Sequence, residues 1–99
     1  MDTVNKIKIQ GKVDSKLRAC KVGLDDAFYF PLEFEFPSNN DPKIISKETM
    51  SVTCLKKDLP ANLTVGTKVL VLGRLEKQPV EGKGYNAFRI LTAEIVILS

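Results

Sequence analysis

Two aromatic side chains, Tyr85 and Phe88, stand among three cations, Lys77, Lys83 and Arg89, in the last quarter of the chain. An exposed ring can stack on any nucleobase for about 1–3 kcal/mol, and a cation beside it neutralises a phosphate and releases its counterions. The pattern therefore suits a polyanion with flat faces, and single-stranded nucleic acid is both. Residues 85 and 89 share a parity along a regular strand and residue 88 has the other, which favours Tyr85 as the stacking residue beside Arg89. The competing reading packs Phe88 inward and leaves Tyr85 to cover the rim of a barrel.

Further cations extend the candidate surface. Lys8 and Lys12 form a stripe with Lys6 on the first strand, Lys56 and Lys57 follow the third, and Arg74 lies next to Gly73. Each reads equally well as a solvated or edge-protecting charge, and they carry more weight as one basic surface than singly. Tyr29 is a further aromatic candidate, but its strand-face neighbours Glu33 and Glu35 would repel phosphate. The formal net charge is +3, unevenly spread: residues 1–24 sum to +4, residues 25–48 to −4 and residues 49–99 to +3.

Other chemistries lack their residues. The chain has no histidine, which removes Ser-His-Asp and Cys-His catalysis and the usual general base near neutral pH. Cys20 and Cys54 are too few for a disulfide scaffold and read as small buried thiols. Asp25-Asp26 follows Gly23-Leu24 and reads as turn chemistry, with no companion cluster for a metal. No catalytic residue, cofactor or metal is expected. The 99 residues fit one domain, no apolar run reaches the roughly 20 residues of a membrane span, and the first residues lack a secretory h-region. A cytoplasmic protein without membrane contact is the expectation.

These side chains must be positioned by strands. Residues 4–13 alternate, with Ile7, Ile9, Gly11 and Val13 on one face and lysines on the other; Gly11 predicts a bulge or sharp coil where the strand bends. A weaker strand covers residues 17–22. After a turn at residues 23–26, Phe28, Phe30, Leu32, Phe34 and Phe36 alternate as a core face, and Pro31 marks an edge or bulge. A loop at residues 37–42 leads through residues 43–48 to a strand over residues 49–55, then little more than one helical turn before residue 64. Residues 65–75 form an apolar strand, residues 78–84 a turn, and residues 85–91 and 93–98 two closing strands around a Thr92-Ala93-Glu94 corner. The expected architecture is all-β, a five- or six-stranded Greek-key barrel with little or no helix.

With a glycine in the first strand, the run Val65-Gly66-Thr67-Lys68-Val69-Leu70-Val71-Leu72-Gly73-Arg74-Leu75, a variable hairpin and the final Ala93-Glu94-Ile95-Val96-Ile97-Leu98, the chain resembles bacterial single-stranded-DNA-binding proteins of the OB-fold type. Within that group it is most similar to the short primosomal replication type without an acidic tail. The resemblance covers nearly the whole chain in element order and, at motif level, residues 5–13 and 63–98. It implies non-catalytic, largely sequence-independent binding of single-stranded DNA across the barrel face and along the long hairpins. The setting it implies is DNA replication, primosome assembly or a mobile element, with a homodimer or homotetramer as the working form. Departures from the family are the missing acidic, apolar tail tip and the absence of tryptophan. Single-stranded RNA is an alternative ligand. The alternative function is a protein-interaction module docking on a replication helicase, primase or polymerase, for which the acidic middle would suit a basic partner.

Overall fold

The computed structural model describes residues 5–38, 40–79 and 86–98, so Lys83 and Tyr85 lie outside the described residues. The strands are β1 (Ile7–Val13), β2 (Arg18–Val22), β3 (Asp25–Pro37), β4 (Ile45–Leu55), β5 (Lys68–Pro79) and β6 (Asn86–Ile97). They lie in the order β1-β5-β6-β4-β3-β2, and a further pairing of β1 with β3 closes the sheet. The helical content among the described residues is one 3₁₀ turn, Lys56–Asp58. The expected Greek-key OB barrel is the fold observed.

β1 and β2 run in succession along β3. Lys12 and Val13 pair with Glu33 and Leu32, and Arg18 to Val22 pair with Tyr29 to Asp25. They are two halves of one barrel strand, interrupted over residues 14–17. Pro31 sits opposite the interruption: its carbonyl accepts from the Asp14 amide at 2.9 Å, and its missing N–H falls where the ladder is already broken. At Gly11, β1 changes partners. Gly11 pairs with Val69 of β5, yet a Cβ built on it would stand 2.4 Å from the Glu33 carbonyl oxygen of β3. Closure of the barrel thus depends on a position without a side chain.

Val13, Phe30, Leu32, Val52, Val69, Val71 and Ile90 are fully buried and form the core. The phenylalanine row of β3 is core only in part. Phe30 is fully buried and Phe28 and Phe34 partly so, but Phe36 is 37% exposed, with its ring 6.0 Å from that of Phe34. The reason is that β3 and β4 continue past the barrel wall as a two-stranded arm, paired as far as Pro37 with Ile45. Inward-parity residues on that arm have no opposite wall. The arm also starts β4 at residue 45, earlier than the loop-like composition of residues 43–48 predicts.

Two other boundaries move. Val65 and Gly66 form a turn, with Gly66 at φ 90°, and β5 begins at Lys68. The expected corner at residues 92–94 is a bulge within one continuous β6: Leu72 pairs with Glu94 and Gly73 with Thr92, leaving Ala93 unpaired. At Gly73 a Cβ would stand 2.4 Å from the Leu91 carbonyl oxygen, so the bulge also rests on a glycine.

Candidate nucleic-acid interface

Because Phe30, Val52 and Ile90 point into the barrel, Tyr29, Thr53 and Leu91 point out. The register links Arg18 to Tyr29, Tyr29 to Thr53, Thr53 to Leu91 and Leu91 to Arg74. These steps set Arg18, Tyr29, Thr53, Leu91 and Arg74 in one row across β2, β3, β4, β6 and β5. At about 4.8 Å between strands, the row spans roughly 19 Å. It crosses β3 and β4, which are the second and third strands of the five-stranded barrel, and oligonucleotides bind that face of OB folds.

The face is concave at its centre. Ala27 and Thr53 are each 1% exposed although their parity turns them away from the core. Small side chains on an outer face become buried only where the sheet coils and longer neighbours close over them. Arg89, on the same outer face, is also largely covered, its side chain 14% exposed. Its Nε and Nη2 donate to Glu76 Oε1 at 3.0 and 2.6 Å, across the β5–β6 pair. Arg74 Nη2 lies 3.6 Å from the other Glu76 oxygen. One carboxylate thus fixes two guanidiniums at the base of the β5–β6 hairpin. Cys20, on β2, is half-buried rather than fully buried as expected, and burial pushes its thiol pKa up while the Arg89 charge draws it back down.

The sequence candidates fall into three groups. Tyr29 is 37% exposed, and its cross-strand neighbours are Arg18 and Thr53. The acids expected to spoil its surroundings are engaged elsewhere, Glu33 with Lys12 at 3.9 Å and Lys47 at 4.0 Å, and Glu35 with Lys47 at 4.0 Å. The objection raised from strand parity is thus weakened. Arg89 and Arg74 stand on the same outer face. Phe88 belongs to the hairpin's opposite face, where it is 55% exposed beside its cross-strand partner Lys77; the inward packing weighed for it does not occur. Lys56 and Lys57 lie on the 3₁₀ turn that follows β4, off the row and near the β2–β3 turn, where the Lys56 charge acts on Asp26. Lys8 is exposed on the outer face of β1, opposite Leu72, and Lys12 sits where β1 meets both β5 and β3.

Arg18 is the side chain that the sequence reading missed. Its signal is not local, because only the β2–β3 register puts it beside Tyr29. No group of three or more His, Cys, Asp or Glu side chains among the described residues is placed to hold a metal ion.

No protein-family model matches the chain, and no curated protein matches it significantly in sequence. Solved structures do. The N-terminal domain of PriB from Thermoanaerobacter tencongensis, described as dimeric, aligns with a TM-score of 0.73 at 22% identity over 96% of this chain and 97% of that one. The Plasmodium falciparum single-stranded DNA binding protein, solved in complex with single-stranded DNA, aligns with a TM-score of 0.78 at 16% identity over 100% and 98%. The single-stranded DNA binding protein of Thermus aquaticus aligns with a TM-score of 0.77 at 16% identity, and there this chain spans 50% of the longer protein. The barrel, with its split first strand and two projecting arms, is thus the OB fold found in PriB and in single-stranded DNA binding proteins.

Proposed function

We propose that this chain binds single-stranded DNA without catalysis and largely without regard to sequence, in replication or primosome assembly. The carrying observation is the outer row in which an exposed tyrosine is flanked by Arg18 on one side and, beyond Thr53 and Leu91, by Arg74 on the other. Tyr29 offers a stacking face and Arg18 and Arg74 neutralise the backbone on either side, while Arg89, ion-paired with Glu76, fixes the base of the β5–β6 hairpin. Lys77 and Phe88, on the opposite face of the β5–β6 hairpin, serve in this reading only a strand that wraps round the hairpin. The edge of β1 over Ile7 to Gly11 that faces away from β5 carries no strand partner among the described residues, which favours self-association through it.

Fluorescence anisotropy of a labelled oligo-dT of roughly 35 nucleotides, more than one site of ~4–16 nucleotides, tests the reading. Salt-sensitive binding that duplex DNA fails to displace is expected; a parallel oligo-U titration gives the preference between DNA and RNA. No retention at low salt would leave the barrel as an interaction module. The structure lends that alternative less support than the sequence does, because Asp26, Glu33 and Glu35 of the acidic middle are paired with lysines.

A further inference from the structure

Beyond Leu91 the outer row enters an open groove of about 540 Å³ between the start of β1 and the bulged part of β5 and β6. Its lining is mainly aliphatic, with Ile7, Leu72 and Leu91, and its cations are Lys6, Lys8 and Arg74. No acidic side chain among the described residues lines it; Glu94 stands beside it, across from Leu72. The volume lies within the ~300–1,000 Å³ of clefts that hold small ligands. The groove is also rigidly built. Asn5 Nδ2 donates to the Leu75 carbonyl at 2.8 Å and Asn5 Oδ1 accepts from the Leu75 amide at 3.0 Å, pinning the start of β1 and therefore Lys6 against β5. Ala93, the unpaired residue of the bulge, forms part of the wall.

We infer that this groove is a second nucleotide subsite of the same strand path, seating one base against the aliphatic lining with its flanking phosphates on Lys6, Lys8 and Arg74. The inference rests on the single-strand reading above. Two observations select this occupant: the cations Lys6, Lys8 and Arg74 outnumber the one acid beside the groove, Glu94, and Leu91 and Arg74 belong at once to the groove and to the row that contains Tyr29. A strand lying along the row therefore reaches the groove without leaving the protein. The groove contains no aromatic ring, so it holds a base by apolar contact and phosphate neutralisation and does not discriminate among bases.

The test compares a short oligo-dT of about 6 nucleotides with a longer one of about 15, both within the range of OB-fold site sizes. The proteins are the wild type, Lys6→Glu/Lys8→Glu, Ala93→Glu, and Lys56→Glu/Lys57→Glu as a control of equal charge change outside the groove. Wild-type affinity should rise with length. The two groove variants should bind the short strand within about twofold of wild type and lose at least about fivefold on the long one, whereas the control should shift both lengths alike. Equal losses at both lengths in the groove variants, or an unchanged long-strand affinity, would overturn the subsite and leave the proposed function standing. So would an acidic apolar peptide held by the wild type and released by these variants while long-strand affinity is unchanged. A wild type that binds neither length removes both readings. Circular dichroism melting of each variant guards against misfolding, and Lys8→Ala, at an exposed position, gives a milder second probe of the same length dependence.

Discussion

Tyr29 is the side chain on which the proposed binding face turns. Replacing it with alanine removes one stacking platform and should weaken oligo-dT binding by about 1–3 kcal/mol, whereas Tyr29→Phe should retain most of the affinity, as titration would show. If both lose equally, the hydroxyl and not the ring face makes the contact. Cys54 gives a second expectation at this scale. Burial raises its thiol pKa in the folded protein, so the native state holds the proton more firmly than the unfolded chain. Its contribution is fully present below the ordinary thiol value of 9.0 and is lost as pH rises through the higher folded value. Urea midpoints should fall above about pH 9, and Cys54→Ala, less stable overall because of its cavity, should show a shallower alkaline decline. In single residues the sequence was informative where type alone decides, as for the missing histidine and the buried Phe30. It failed at Arg18, whose role depends on a partner eleven positions away along a hairpin.

At the scale of elements, two glycines make contrasting demands. Gly23 holds φ 62° in the β2–β3 turn with open space around it, so Gly23→Ala should cost only the left-handed backbone penalty of about 1–2 kcal/mol. Gly11 lies against backbone that cannot move aside, so Gly11→Ala should cost more than Gly23→Ala and pry β1 from β3. Equilibrium urea unfolding of the two variants checks the order. Period-2 alternation located β1 and β3, and Gly11 and Pro31 correctly marked where the barrel strand bends and breaks. The misplaced boundaries share one cause. At residues 43–48 and 92–94 the local composition reads as loop or corner, yet ladder partners on β3 and β5 hold residues 45–48, Thr92 and Glu94 extended. Pairing between distant segments overrides local propensity there.

For the whole molecule, the pairing of acids with lysines leaves the basic surface distributed around the barrel in place of a single dense patch. Binding should therefore weaken steadily with salt, and each phosphate-contacting cation removed should flatten the log–log slope by about 0.7. Arg18→Ala should do so, while Lys57→Ala on the 3₁₀ turn, off the row, should flatten it less; titrations at several salt concentrations decide this. The charge asymmetry between chain segments was legible in the sequence, but its neutralisation was not, because Glu33 meets Lys12 and Lys47 only once the barrel closes.

β6 lies in the middle of the sheet, between β5 and β4, and it is the last of the six strands along the chain. In folding, β1 has to wait for β5, and the barrel part of β4 for β6, before either finds its neighbour on that side. Until then Val52, Val69 and Val71 face water beside unpaired strand edges, the condition in which partly folded chains associate wrongly. Such a topology, rich in contacts between distant segments, folds comparatively slowly.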